Sequence, residues 1–188
     1  NSTIAGIDKA DAILLVGTNP RHEATAVNAR IYKRFRQGGL QVGLVGAPCD
    51  LTYPYQQVGH SPVALRDLLE DKHDFANVLK NVQNPMLILG AGALARRDGE
   101  AIHAAAREIA DQFGLVRDGW NGFNVLQLAA ARVGGLDLGF VPNTKHGMSA
   151  REILPAAMGD RLDILYLMGA DEVDPKRLGK DTFVIYQG

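Results

Sequence analysis

Three short runs stand out for unbroken apolarity: Ala12–Val16 (AILLV), Gln41–Val45 (QVGLV) and residues 85–89 (PMLIL). Two more, residues 162–168 (LDILYLM) and 182–186 (TFVIY), are likewise short and rich in branched apolar residues. Continuous rather than alternating hydrophobicity predicts strands covered on both faces, as in a parallel sheet.

Between these runs the period lengthens to that of a helix. Over residues 24–37, Ala24, Val27, Ile31 and Phe35 fall on one face. Lys33, Arg34 and Arg36 crowd the last turns, where cations favour a helix C-terminus, and Gly38-Gly39 supplies a stop. Ser61-Pro62 predicts a helix start running through Leu69, and a short helix is expected over residues 75–79. From Asp98 to Phe113, Ile102, Ala106, Ile109 and Phe113 mark another face, closed by Gly114. Asn121 is expected to cap a helix through Val133, ended by Gly134-Gly135. Ser149 and Glu152 form a capping box, and Pro155 is expected to limit that helix. Strands alternating with helices predict a single α/β domain over residues 1–188: a Rossmann-like, doubly wound, mainly parallel sheet with helices on both faces.

Four of the strands run into a glycine turn: Gly17-Thr18-Asn19-Pro20, Gly46-Ala47-Pro48, Gly90-Ala91-Gly92 and Gly169-Ala170-Asp171. Ligands of open α/β sheets gather at these carboxyl ends. Gly90-x-Gly92-x-x-Ala95 approximates a dinucleotide fingerprint but fails its context. Asp98-Gly99 interrupts the run, and the acidic residue at the expected distance, Asp111, falls inside a helix. At LLVGTNPRHEA, Gly17 frees the backbone, Asn19 offers an amide, and Arg21 with the amides of the following helix could hold a phosphate. The plainer alternative is that Asn19 caps the turn and Arg21 pairs with a carboxylate. In GADEVDP, Asp171, Glu172 and Asp174 offer carboxylates to a cation or a ribose hydroxyl, or form a solvated loop.

Composition narrows the chemistry. Hydrophobic residues make up 46% and charged residues 22%, with a net charge of -1. A nucleic-acid binder would show a basic excess. No apolar run approaches the roughly 20 residues that span a bilayer, so direct membrane insertion is not expected. One cysteine, Cys49, excludes a disulfide framework or a cluster built from several cysteines of these residues. His22, His60, His73, His103 and His146 form no metal-binding motif. The polar, aromatic stretch DLTYPYQQVGHSP is long for a simple connection, and Tyr53, Tyr55 and Trp120 are candidate partner contacts. No catalytic residue and no metal site is nominated.

The segments IAGIDKADAILLVGTNPRHEATAVNARI, GAPCDLTYPY and TFVIYQG, spread over nearly the whole chain, resemble the large iron–sulfur subunit of bacterial NADH-quinone oxidoreductase, respiratory complex I. The pairing of GTNPR with DLTY at this spacing carries the resemblance. It implies the molybdopterin oxidoreductase-like part of that subunit, whose strand-end loops line a pterin-dinucleotide cleft in working enzymes. The matching positions are Gly17, Asn19, Pro20, Gly169 and Asp171, with Arg21 beside them. In the complex I subunit this region is regarded as a remnant without cofactor. The resemblance therefore implies a non-catalytic scaffold excised from a longer subunit, lacking its own redox centre. The iron–sulfur clusters, FMN and quinone sites would lie elsewhere. Its expected partners are other domains of the same subunit and other hydrophilic-arm subunits. Its expected place is peripheral, on the cytoplasmic side of the bacterial inner membrane. Two alternatives stand beside it: a molybdopterin-dependent oxidoreductase fragment, and a nucleotide-binding domain acting alone.

Overall fold

The computed structural model describes residues 2–129, 131–142 and 147–188; His146 lies outside them. The chain forms two compact units, Asn1–Ala130 and Ala131–Gly188.

The first unit is built on a five-stranded sheet. β1 (Ala12–Val16), β2 (Gln41–Val45), β3 (Gln56–Gly59), β4 (Pro85–Gly90) and β7 (Phe123–Leu126) lie in the order β3-β2-β1-β4-β7. Every neighbouring pair is parallel. Successive side chains of a strand point to opposite faces, and β1 divides its residues accordingly. Leu14 and Val16 join a core with Leu87, Leu89 and residues of α3 (Val63–Leu69), α4 (Phe75–Asn81) and α6 (Gly99–Gln112). Ile13 and Leu15 join a second core with Met86, Ile88 and Ile31 of α2 (Thr25–Arg36). All of β1 and β4 is buried, as their unbroken apolarity predicts. Helices thus cover both faces of a mainly parallel sheet.

The connection after β2 closes over α2. Asn28, 7% exposed, donates from Nδ2 to the Leu51 carbonyl at 3.3 Å and accepts the Tyr53 hydroxyl at 2.9 Å. Phe35 stacks on Tyr53 with ring centroids 6.1 Å apart. Trp120 is likewise turned inward, its indole N–H on the Pro85 carbonyl at 2.8 Å. Tyr53 and Trp120 are therefore core residues, not the exposed anchors their aromaticity suggests, because their polar ends find partners inside the fold.

Residues 121–133 depart most from expectation. Instead of one helix, a short antiparallel pair, β5 (Val116–Arg117) with β6 (Trp120–Asn121), leads into β7. Pairing with β4 overrides the local helical reading, and Asn124 Nδ2 adds a bond to the Gly122 carbonyl at 3.1 Å. Helix α7 (Arg132–Asp137) begins only after that strand.

The second unit carries α7, α8 (Ala150–Met158), and a parallel pair of strands, β8 (Ile164–Met168) with β9 (Phe183–Gln187). The single expected sheet is thus two parallel sheets, one in each unit. Glu152 accepts the Ser149 N–H and hydroxyl, both at 2.7 Å, as the capping box predicts. Pro155, expected to end α8, lies inside it, and the helix runs on to Met158. Among the described residues no helix is long and apolar enough to cross a membrane.

Candidate functional site

In a doubly wound sheet the crevice for a ligand opens where the strand order reverses. Here β1 leads through α2 to β2 on one side, while β4 leads through α6 to β7 on the other. The reversal therefore lies between the carboxyl ends of β1 and β4, where the turns at Gly17 and Gly90 meet.

These two turns are in close contact. Gly17 adopts a φ of +57°, and a β-carbon there would lie 2.7 Å from Cβ of Ala93 in α5 (Ala91–Leu94). A β-carbon on Gly90 would run into the Gly17 carbonyl oxygen and approach Cβ of Thr18 to 2.8 Å. The one-turn helix α5 thus packs straight onto the β1 turn. Of the glycines of the Gly90-x-Gly92-x-x-Ala95 motif, Gly90 serves this contact, whereas a β-carbon on Gly92 would meet open space; α5 spans only Ala91–Leu94, and α6 begins afresh at Gly99.

The backbone amides at the strand ends are also committed. The Gly17 N–H donates to the Val45 carbonyl, and the Gly46 N–H to the Gly59 carbonyl, each at 2.8 Å. The ladder thus runs one residue past each of these strands, and neither amide is free for a ligand. Beside the Leu44/Val45 irregularity in the β2–β3 ladder, the Gln57 amide donates to the carbonyls of Leu44, Gly46 and Gly59.

The GTNPRHE segment is closed upon itself. Asn19 Oδ1 accepts the Arg21 N–H at 3.2 Å and caps the short helix α1 (Pro20–Glu23). Glu23 folds back, accepting the Thr18 hydroxyl and the Asn19 N–H at 2.8 Å each. A carboxylate of this chain therefore takes the Asn19 N–H and the Thr18 hydroxyl, two donors the turn would otherwise offer an anion. Arg21 is paired with Asp50, whose carboxyl is held below the usual carboxylate range by the Thr52 N–H and by Arg21. The plainer reading of both residues, a cap and an ion pair, is the arrangement found.

Cys49 is half-buried beside this cluster, and its N–H donates to the Tyr55 hydroxyl at 3.0 Å. Burial, and then the charges of Asp50 and Glu23, push its thiol above the ordinary value. That is the opposite of what an activated nucleophile needs.

Adjacent to these turns is an open depression of about 250 Å³, lined by Gly17, Gly46, His60, Ser61, Ala93 and Arg96 among others. The guanidinium of Arg96 is held by Asp98 through two bonds, at 2.7 and 2.9 Å. Sequence reading misses this group, because His60 and Arg96 belong to separate connections that only the fold brings together.

Gly169 and Asp171 belong to the second unit. Gly169, at φ +57°, donates its N–H to the Gln187 carbonyl at 2.8 Å, so here too the amide extends the ladder. Asp171 accepts the Tyr186 hydroxyl, and Asp174 caps the next turn through the Lys176 N–H at 3.0 Å. Among the described residues no group of three or more His, Cys, Asp or Glu side chains is placed to hold a metal ion.

Comparison with known proteins matches residues 1–188 to the molybdopterin oxidoreductase family model. The chain is 44% identical over its full 188 residues to the mitochondrial NADH dehydrogenase [ubiquinone] iron-sulfur protein 1 of Solanum tuberosum, covering 24% of that protein. It is 40% identical over 188 residues to an NADH-quinone oxidoreductase subunit of Rickettsia bellii, covering 26% of it. It is 39% identical over 191 aligned residues to the mitochondrial NADH-ubiquinone oxidoreductase 78 kDa subunit of Neurospora crassa, covering 24% of it. The chain thus spans about a quarter of the length of these curated relatives. With the parallel doubly wound sheet and a family match over its whole length, the chain belongs to the molybdopterin oxidoreductase family.

Proposed function

We propose that this chain is a scaffolding segment of the large iron–sulfur subunit of an NADH-quinone oxidoreductase. The parent complex passes electrons from NADH to quinone and couples this to proton translocation. The segment supplies packing surfaces, and the redox centres reside in other parts of the assembly. Its partners are the remaining domains of its own subunit and neighbouring subunits of the hydrophilic arm. It sits peripherally, on the cytoplasmic side of the inner membrane in a bacterium.

The observation that carries this reading is the closure between Gly17 and Ala93, with the carboxylate of Glu23 on the Asn19 amide. The residues present fit a pterin dinucleotide poorly. Its pyrophosphate would compete with Glu23 for the Asn19 N–H and with Asp50 for Arg21. Similarity to NADH-quinone oxidoreductase subunits along the whole chain supports the assignment to that complex.

The second reading, a working molybdopterin enzyme fragment, draws support from the depression beside His60, Ser61 and Arg96. A second depression, of about 400 Å³, is lined by Gly17, Thr18, Asn19, Glu23 and Cys49, but there Glu23 already holds the Thr18 hydroxyl and the Asn19 N–H. Affinity purification of the intact polypeptide from its source distinguishes the two. Scaffolding predicts that it migrates with NADH-quinone reductase activity in a large assembly. Migration alone or in a small complex, without that activity, contradicts it.

A further inference from the structure

The sheet of the second unit has two unlike faces. Leu165 and Leu167 turn into a core with Ala157 of α8, supported by Ile153 and Val184. The opposite face carries Ile164, Tyr166 and Met168 from β8 and Phe183 and Ile185 from β9. Register sets Ile164 against Phe183 and Tyr166 against Ile185, so the five form one patch. Their exposures are 62%, 52%, 69%, 66% and 41% in chain order.

A solvated sheet face alternates to polar residues, and parallel sheets are covered on both sides. This face has no charged residue. Its one polar side chain besides Tyr166 is Gln187, and Gln187 Oε1 accepts the Tyr166 hydroxyl. These two polar side chains thus pair with each other across the two strands.

We propose that this face is an internal interface, covered by an apolar segment of the same polypeptide lying outside these 188 residues. The inference rests on reading the chain as part of a longer subunit. Relatives about four times its length provide ample chain for such a cover. A cover from the same polypeptide follows from the size of the core. Among the described residues the buried apolar side chains of this unit are Ala156, Ala157, Leu165 and Leu167, too little to hold a sheet by themselves. The cover must be present when the chain folds, and an intramolecular segment avoids the entropic cost of association.

The test replaces Phe183 with the photo-crosslinker p-benzoylphenylalanine in the intact polypeptide and maps the linked peptide by mass spectrometry. Linkage to the same polypeptide, outside these 188 residues, is the expected result. Linkage to another subunit, to a second copy in a mixed isotope-labelled preparation, or within these residues overturns the proposal, as does the absence of any link. Should that variant fail to accumulate, hydroxyl-radical footprinting of the wild-type polypeptide, separated from other subunits, reads Tyr166 and Met168. Protection lost on unfolding supports the cover, and equal modification before and after unfolding overturns it. A mature polypeptide no longer than these 188 residues defeats the reading of the chain as a segment, whereas a long polypeptide linked elsewhere defeats only the cover.

Discussion

A β-carbon on Gly17 would stand 2.7 Å from Cβ of Ala93, and this contact joins the β1 and β4 turns where the strand order reverses. Gly17→Ala therefore meets two penalties. The left-handed backbone costs roughly 1–2 kcal/mol, and the forced contact about 1–3 kcal/mol. The urea midpoint falls accordingly with an unchanged m-value. Ala93→Gly in the same chain restores the steric part but leaves the backbone strain.

Gly43, within β2, is required by a different neighbour. A β-carbon there would lie 2.8 Å from two ring atoms of Phe75, a core residue 1% exposed. Gly43→Ala lowers stability by about 1–3 kcal/mol. Combining it with Phe75→Leu costs less than the sum of the two single changes, with a coupling of roughly 0.5–3 kcal/mol in a double-mutant cycle.

Asp50 makes a small part of the stability depend on acid. The Thr52 N–H and then Arg21 hold its carboxyl below the ordinary range, so the fold favours the charged form. That contribution is complete above the unfolded value of about 3.9 and fades as pH falls through the lower folded value. Asp50→Asn flattens the acid limb of a stability–pH profile below about pH 4. An unchanged limb contradicts the assignment.

Cys49 is predicted to react slowly with a disulfide reagent at neutral pH. Its thiol is raised by burial first, then by Asp50 and Glu23. The rate climbs with alkalinity at higher pH than for a free cysteine, and Asp50→Asn shifts that rise back toward neutrality. A fast reaction at pH 7 contradicts both the burial and the electrostatics.

How far the sequence carries the reader depends on how local each cause is. The apolar runs of β1 and β4 encode burial on both faces, and those strands lie where the pattern puts them. The run at residues 162–168 is also rich in Leu and Ile, yet β8 alternates between exposed and buried. A run shows that a strand is apolar, but not how many neighbours it has. Residues 121–123 read as a helix start because Asn121 is a good cap, and the pairing of Phe123 with Leu87 is invisible to local pattern. At the site, GTNPR draws notice because glycine and arginine suit phosphate. Its closure depends on Ala93, 76 positions away, and on Glu23, whose fold-back across one turn leaves no mark in the pattern. The partnership of Arg21 with a carboxylate is legible as one of two alternatives, and only the fold shows that the carboxylate is Asp50.

The most direct test of the central claim is to purify the intact polypeptide from cells supplied with molybdenum and tungsten and able to make the pterin cofactor. Both metals are counted by mass spectrometry, and an oxidised acid extract is examined for pterin fluorescence. Closure at Gly17 and Ala93 predicts neither metal nor pterin above trace amounts. Near-stoichiometric metal together with pterin would contradict the scaffold reading and reopen the cleft around Asn19 and Arg21 as a working site.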